Sequence, residues 1–239
     1  TIGDIPKLLK EALGVRKSKA TFSIRAYGLK HDQVHTLLRD SKNYLKDNKI
    51  PSRYVGNEHT PAKAIQLHDE GLIRGKEGCE ILILADEDGE KIWIGKTIAA
   101  HDIKAYTLRD IGKPVRDTQV GLLPPKLAQI LLNFGTLLQR NTPVKSTYIL
   151  DPFCGTGVIP IECIIRRIPL MGSDISMKAV NDCTKNLEWA RKTYGVAKKD
   201  IASAVWRQDA CKVFEVKEMP MCIVTEGTLG PALRGRPTD

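Results

Sequence analysis

The chain has 239 residues and a net charge of +9, with 42% hydrophobic and 27% charged residues, a composition that excludes a disordered or collagen-like protein. The length excludes a very small disulfide-linked scaffold, and no apolar run approaches the roughly 18 to 20 residues that cross a bilayer. The six cysteines form no C-x-x-C pair and have no nearby His doublet, so we expect reduced thiols, no metal site and a cytoplasmic protein.

The first hundred residues alternate short strands with amphipathic helices. Apolar periodicity predicts helices over 5–13 and about 31–48, strands over 21–27 and 53–56, and a β-hairpin made of 80–85 and 91–99. Thr60-Pro61 predicts the cap and first turn of a further helix that runs to about Ile73. We therefore expect a small α+β domain over residues 1–100.

The rest of the chain is predicted to be a linker followed by an α/β domain. Mixed charge over 101–121 is typical of a linker or of a segment laid over a surface. From Thr147 onward, strands over 148–150, 170–173, 202–206 and 221–225 alternate with helices over 156–167 and 176–194. This alternation predicts parallel βαβ units and a doubly wound, Rossmann-like domain over 122–239.

One predicted helix, from about Leu122 to Arg140, precedes the first of these strands. Its apolar residues follow a single helical stripe, which we expect to face the core. The residues of this stripe are Leu127, Ile130, Leu131, Phe134, Leu137 and Leu138.

Three acidic residues follow three successive predicted strands of this domain. Asp151 opens the turn Asp-Pro-Phe-Cys-Gly-Thr-Gly, which ends at Gly157, while Asp174 and Asp209 follow the next two strands. The glycines let backbone N–H groups and the start of a helix approach a ligand closely. Asp174 is placed to accept hydrogen bonds from ribose hydroxyls and Asp209 from the exocyclic amine of adenine. The three carboxylates together predict a nucleoside pocket.

Two other interpretations of these residues have to be weighed. Each Asp by itself is also a common cap of a helix or turn, although the joint spacing of the three favours a site. A dinucleotide dehydrogenase also places glycines and an acidic residue in this order. Its fingerprint is G-x-G-x-x-G, however, and Pro160 stands at the third glycine position here.

The turn over 151–157 and the runs 172–175 and 186–189 resemble the first motifs of Rossmann-fold S-adenosylmethionine-dependent amino-methyltransferases. The stretches 109–117 and 121–129 resemble the segments that lead into the catalytic domain of THUMP-containing tRNA guanine-N2-methyltransferases, those that modify guanosine 10. The resemblance implies S-adenosylmethionine as cofactor, tRNA as partner and a THUMP RNA-binding domain within residues 1–100. The cofactor-binding residues that it implies are Leu123, Pro124, Asp151, Phe153, Gly155, Gly157, Asp174, Ile175, Asp209 and Ala210.

The expected catalytic run departs from the pattern of that family. In the family, (Asp/Asn)-Pro-Pro-(Tyr/Phe) follows the fourth strand, where its oxygens accept hydrogen bonds from the target amine and its ring stacks on the base. The corresponding run over 225–230 is Thr-Glu-Gly-Thr-Leu-Gly, so we expect Glu226, Gly227 and Leu229 to take these places. The family's sheet has seven strands and only four are predicted here, and the sequence does not begin with Met. We therefore expect a truncated chain with a partial methyltransferase domain.

Basic residues of the first domain are expected to form a face for RNA phosphates, although such charges are also common on a plain solvated surface. We assign RNA contact to Arg25, Lys30, Arg53, Lys63 and Arg74. The leading hypothesis is transfer of a methyl group to the exocyclic N2 of a tRNA guanosine without a metal. Two alternatives stay open: a non-catalytic RNA-binding protein, suggested by the altered catalytic run, and a methyltransferase that acts on another RNA amine.

Overall fold

A computed structural model of the protein describes residues 1–14, 18–73, 78–88, 91–117, 123–138, 146–216 and 219–227. The chain divides into two compact units, which we call unit 1 (Thr1–Lys104) and unit 2 (Ala105–Asp239). Among the described residues, no helix is both long enough and apolar enough to span a membrane. All six cysteines lie in the described ranges and all are free thiols.

Unit 1 is built on a four-stranded mixed sheet. Its elements in chain order are a 3-10 helix (Ile2–Asp4), α1 (Ile5–Leu13), β1 (Ala20–Tyr27), α2 (His31–Asp47), β2 (Ser52–Tyr54), α3 (Ala64–Asp69), β3 (Gly78–Ala85) and β4 (Ile92–Lys96). The strand order is β2-β1-β3-β4, with β1 parallel to β2 and β3, and with β4 antiparallel to β3. The predicted α+β unit, its first two helices and its hairpin are confirmed.

The core of unit 1 lies between one face of the sheet and helices α1 and α2. Alternate residues of a strand point to the same side, so Phe22 and Ile24 of β1 and Ile83 of β3 enter this core together. Leu9 of α1 and Leu45 of α2 are fully buried against them. The 3.6-residue period of the helices and the two-residue period of the strands therefore give one continuous apolar layer.

The predicted start of the third helix is wrong. Helix α3 begins at Ala64, because Pro61 is occupied in an antiparallel bridge with Gly56 and the chain between them forms a tight turn. The side-chain oxygen of Asn57 accepts hydrogen bonds from the backbone N–H groups of His59 and Thr60 in this turn. The turn that begins at Asn57 therefore takes the place of the helix cap expected at Thr60.

Unit 2 is an α/β unit with a four-stranded parallel sheet. The elements of this part of the chain are α4 (Ile103–Asp110), α5 (Pro125–Leu138), β5 (Ile149–Asp151), α6 (Val158–Ile165), β6 (Leu170–Asp174), α7 (Met177–Tyr194), β7 (Ser203–Arg207) and β8 (Cys222–Ile223). The strand order is β7-β6-β5-β8 and every pair is parallel. The predicted Rossmann-like α/β fold is confirmed. The order reverses direction between β5 and β8, which is where open α/β sheets bind ligands at the carboxyl ends of their strands.

The predicted inward stripe of α5 is wrong at most of its positions. Among its described side chains only Leu131 packs, partly buried, against the core, and the side chain of Leu138 lies outside the described residues. Leu127, Ile130, Phe134 and Leu137 are exposed, while Ala128 and Leu132 are buried. The buried face also includes Gly135, where an added Cβ would lie 2.6 Å from Val224 Cγ2. Small residues therefore let α5 approach β8 closely, and they outweigh the larger apolar residues in setting which side of the helix is buried.

Helix α4 lies in the stretch expected to be a linker, and a buried polar network attaches it to α5 and α6. Arg109 Nη1 lies 3.0 Å from Glu162 Oε2, and the Arg109 guanidinium stacks 4.3 Å from the centre of the Tyr106 ring. Gln129 Nε2 donates to the same Glu162 oxygen at 2.8 Å. This segment is thus part of the packed structure of unit 2.

Candidate nucleoside site

The glycine-rich turn over 151–157 joins β5 to α6 and adopts the backbone conformation that its glycines predict. Gly155 and Gly157 have φ angles of 50° and 87°, in the left-handed region that favours glycine. An added Cβ at Gly157 would lie 2.6 Å from Cys183 Sγ of α7, whereas one at Gly155 would meet no atom within 4 Å. Gly157 is therefore required for close packing of the turn on α7, and Gly155 leaves open space beside the backbone.

Asp174, at the end of β6, is hydrogen-bonded to the turn. Its Oδ2 accepts from Gly155 N at 3.1 Å and its Oδ1 accepts from Ser176 N at 2.9 Å. The backbone oxygen of Asp174 accepts from Gln208 N at 3.0 Å, which places Asp209 beside this strand end. Because β5, β6 and β7 are adjacent and parallel, the structure brings the three predicted acidic positions to one edge of the sheet.

Asp151 is the most strongly perturbed carboxyl group of this edge. Its side chain is buried, and its Oδ1 accepts from Thr225 Oγ1 at 2.7 Å and from Phe153 N at 3.2 Å. Burial raises the pKa of Asp151 to about 6, the two hydrogen bonds oppose that rise, and the nearby charge of Asp174 adds to it. The Asp151 carboxyl therefore titrates close to neutral pH.

Thr225 is a site residue that the sequence did not single out. It follows β8, and its hydroxyl joins the ends of β5 and β8 across the point where the strand order reverses. The predicted catalytic Glu226 is half-buried and Gly227 is exposed in the same run. Leu229, the third predicted catalytic residue, lies outside the described residues.

A second segment lies against the turn through Asn186 of α7, which is fully buried. Asn186 Oδ1 accepts from Val115 N at 2.9 Å, and its Nδ2 donates to Val115 O at 2.9 Å and to Thr156 O at 2.8 Å. The amide of Asn186 therefore connects the chain before α5 to the glycine-rich turn. The motif that includes Asn186 is visible in the sequence, but its partner, 71 residues away, is not.

The remaining predicted cofactor residues flank this edge in different environments. Phe153 and Ile175 are 49% and 63% exposed, so both offer apolar surface next to the carboxylates. Asp209 and Ala210 are half-buried, and Pro124 is exposed at the start of α5. Leu123 is buried in the core of unit 2, so its side chain packs against protein atoms. The part of the chain that the structure describes shows no cluster of three or more potential metal ligands.

The predicted RNA-binding residues of unit 1 differ in whether their charged groups are exposed or ion-paired. Lys30 and Lys63 are exposed, and Arg53 is ion-paired with Glu70. Arg25 Nε lies 3.2 Å from Oε1 of Glu80, a carboxylate that is only 1% exposed. Arg25, Lys63 and Glu80 line the same groove, which has a volume of about 560 Å³. Arg74 lies outside the described residues.

No family model matches the chain. A tRNA (guanine(10)-N2)-dimethyltransferase of Pyrococcus abyssi is 34% identical over 127 residues, which are 53% of this chain and 33% of that protein. The protein of the same name from Methanothermobacter thermautotrophicus is 31% identical over 110 residues, 46% of this chain and 28% of its own length. The chain thus spans a third or less of the length of these curated relatives.

Solved methyltransferase structures are similar at a lower level. A Clostridium difficile 630 protein, described as a possible methylase, is 16% identical with a TM-score of 0.41, covering 86% of this chain and 56% of its own. Magnesium protoporphyrin IX methyltransferase from Synechocystis, solved with bound SAH, is 19% identical with a TM-score of 0.29 over 41% of this chain and 44% of its own. Both TM-scores are too low to assign a shared function.

Proposed function

We propose that the protein is an S-adenosylmethionine-dependent tRNA methyltransferase that modifies the exocyclic N2 of a guanosine, at position 10 of tRNA. The observation that carries this proposal is the hydrogen-bonded edge formed by the glycine-rich turn, Asp174 and Asp151 where the strand order reverses. The two relatives named as tRNA (guanine(10)-N2)-dimethyltransferases support the choice of substrate.

The residues of this edge fit a nucleoside cofactor. Asp174 uses one hydrogen bond per carboxylate oxygen, so each oxygen keeps a lone pair for a ribose hydroxyl. Asp209 lies beside it for the adenine amine, and the exposed side chains of Phe153 and Ile175 offer apolar surface for the ring. The open space at Gly155 admits a ligand close to the backbone. When bound, S-adenosylmethionine supplies an electrophilic methyl group on its sulfonium.

The chain's own contribution to methyl transfer is to position the amine and exclude water. We assign orientation of the guanine amine to the carboxylate of Glu226 and to nearby backbone oxygens of 225–227. These oxygens accept hydrogen bonds from the N–H groups of the amine. An amine that took up this methyl group would release one proton to solvent. Unit 1 binds the tRNA through exposed cations such as Lys30 and Lys63, so affinity for tRNA falls as salt increases.

The first test of this proposal is a calorimetric titration of the chain with S-adenosylhomocysteine, with NAD as the control ligand. We expect saturable binding of S-adenosylhomocysteine alone. Binding of NAD instead would assign the edge to a dinucleotide enzyme, and binding of neither ligand by the folded chain would contradict a cofactor site built on Asp151 and Asp174.

The second test separates catalysis from RNA binding alone, which the unusual run at Glu226 makes the competing function. We expect wild-type protein to form N2-methylguanosine in a tRNA transcript, identified by nucleoside mass spectrometry. Glu226→Ala should lose turnover while it keeps tRNA affinity. No methylated product from wild-type protein that binds both ligands would favour a binding protein, and methylation of a different base would reject the proposed substrate.

A further inference from the structure

The face of the unit 1 sheet opposite α1 and α2 carries three large side chains that are open to solvent. Tyr27 of β1 pairs with Leu84 of β3, and Leu84 pairs with Trp93 of β4, so the three lie side by side across three strands. Each is next in sequence to a residue packed on the helix side, and side chains of a strand alternate between faces. They are 54%, 42% and 56% exposed, and we call them the exposed row.

The groove of unit 1, of about 560 Å³, borders the exposed row, and Tyr27 lines both. The guanidinium of Arg25 is fixed in this groove, because its Nε is ion-paired with the buried Glu80 and its Nη2 donates to Ala62 O. The other oxygen of the Glu80 carboxylate accepts from Thr97 Oγ1 at 2.5 Å. Arg25 Nη1 has no hydrogen-bond partner among the described residues, so the groove presents a donor of fixed orientation to an anion.

The two sides of the exposed row carry charges of opposite sign. On the groove side, Lys63 is exposed, and within the described ranges its ammonium forms no ion pair. On the other side, β3 and β4 lead into a hairpin turn whose residues 86–88 are Asp-Glu-Asp. Phosphates are attracted to the first side and repelled from the second, whereas the amino groups of bases donate hydrogen bonds to carboxylates. A nucleic acid on this face would therefore place its phosphates over the groove and its bases over the row.

Exposed rings on a sheet face suit bases that are not paired. A base within an RNA duplex shows only its edge in a groove, whereas an unpaired base can lay its flat face on an aromatic ring. Tyr27 and Trp93 are two strand spacings apart, about 10 Å, so they offer two separate platforms.

We propose that this face of unit 1 binds an unpaired segment of RNA, with bases stacked on Tyr27 and Trp93 and a phosphate held in the groove by Arg25 and Lys63. The inference rests on the proposed function, because that function supplies a tRNA as the RNA. It adds a requirement for unpaired nucleotides, which exposed cations by themselves do not impose.

The test measures, by fluorescence anisotropy, how the full chain binds a labelled single-stranded RNA and a blunt-ended duplex of the same sequence. We expect the single strand to bind at least about tenfold more tightly. Tyr27→Leu and Trp93→Leu keep apolar side chains but remove the rings, so each should weaken single-strand binding at least about fivefold and leave duplex binding unchanged. Tyr54→Leu is the matched control, because Tyr54 is an exposed residue whose ring lies 6.1 Å from that of Phe22, on the helix side of the sheet.

The phosphate contact has its own readout, the salt dependence of single-strand binding. Lys63→Met should reduce the slope of log affinity against log salt concentration by about 0.7, the value for one phosphate contact in a single strand. An unchanged slope would overturn the assignment of a phosphate to the groove.

The other outcomes separate this inference from the proposed function. Equal affinity for the two RNAs, wild-type affinity in Trp93→Leu, or an equal loss in Tyr54→Leu overturns the stacking site. Self-association in sedimentation that Trp93→Leu abolishes, without a preference for single strands, would make the face an interface between two copies and would also overturn it. In each case, binding of S-adenosylhomocysteine and tRNA leaves the proposed function intact, whereas a wild-type protein that binds no RNA contradicts that function itself. Thermal unfolding monitors folding, and Trp93→Phe, which keeps a ring, replaces the Leu variant if the latter does not fold and should retain most of the affinity.

Discussion

The two chain segments that meet at the carboxyl edge of the unit 2 sheet differ in how strongly they are held. The glycine-rich turn after β5 is fixed by the bonds Cys154 N to Ser173 O, at 2.9 Å, and Gly157 N to Cys154 O, at 2.7 Å, in addition to the contact with Asp174. In the run after β8, the hydroxyl of Thr225 binds Asp151, but neither Glu226 nor Gly227 has a hydrogen-bond partner among the described residues.

The difference in how the two segments are held matches the two ligands that we propose for them, a small cofactor and a large RNA. A cofactor of constant shape is bound best by a preorganised surface, because little conformational entropy is lost when it binds. Under the proposed function, the run at 225–227 receives the base of a large RNA, and among the described residues no hydrogen bond fixes Glu226 or Gly227 before such an RNA binds. The comparison therefore predicts that substitutions in the turn change the stability of the free protein, whereas those beyond Thr225 do not.

The largest expected effect is at Gly157. Gly157→Ala should lower the free energy of unfolding by about 2 to 5 kcal/mol, because alanine at a φ of 87° costs about 1 to 2 kcal/mol and its Cβ would lie 2.6 Å from Cys183 Sγ. Gly227→Ala is the matched control, since an added Cβ there would meet no atom within 4 Å. Urea unfolding of both variants measures the difference, and equal destabilisation would refute the contrast between the two segments.

The next largest effect is the pH dependence of the free energy of unfolding that Asp151 causes. Its pKa in the folded protein is about 6, compared with a reference value of 3.8, so the folded state binds the proton more tightly than the unfolded state. The contribution of Asp151 to stability is therefore complete below about pH 4 and is lost as pH rises through 6. Wild-type protein should lose about 3 kcal/mol over this interval relative to Asp151→Asn, which keeps an oxygen for Thr225 and Phe153.

Urea unfolding of both proteins at pH 4, 5, 6 and 7 would measure this difference. Parallel pH profiles for wild type and Asp151→Asn would show that the carboxyl group has an ordinary pKa. The glycine-rich turn would then not be the site of a perturbed acid.

The elements of unit 2 were predictable because their signals are local. The turn over 151–157, the acidic residue after β6 and the alternation of strands and helices can all be recognised within short windows of sequence. Helix α5 shows the limit of this reasoning. Leu127, Ile130 and Phe134 follow a helical stripe, yet Ala128 and Gly135 face the core, because the packing distance to β8 is set by a strand more than 80 residues further along the chain.

Residues of the candidate site could be predicted only where they belong to a short local motif. The carboxylates of Asp151 and Asp174 belong to such motifs, but the hydroxyl that joins β5 to β8 comes from Thr225, 74 residues after its partner. The same limit applies to Arg25, whose local surroundings predict a free cation although Glu80, 55 residues away, accepts its hydrogen bond. Long-range pairs of this kind have no signature in a single sequence.

The smallest effect, and the one that tests the junction of the two segments, is expected at Thr225. Thr225→Val keeps the shape of the side chain but removes the donor to Asp151 Oδ1 at 2.7 Å, so we expect a loss of about 1 to 2 kcal/mol of unfolding free energy. Because this hydrogen bond lowers the pKa of Asp151, the pKa should also move further upward in the Val variant. Thr225→Ser keeps the hydroxyl and should retain the wild-type pH profile. If the Ser and Val variants behave alike, the hydroxyl does not couple the ends of β5 and β8, and the run at 225–227 would be independent of the turn.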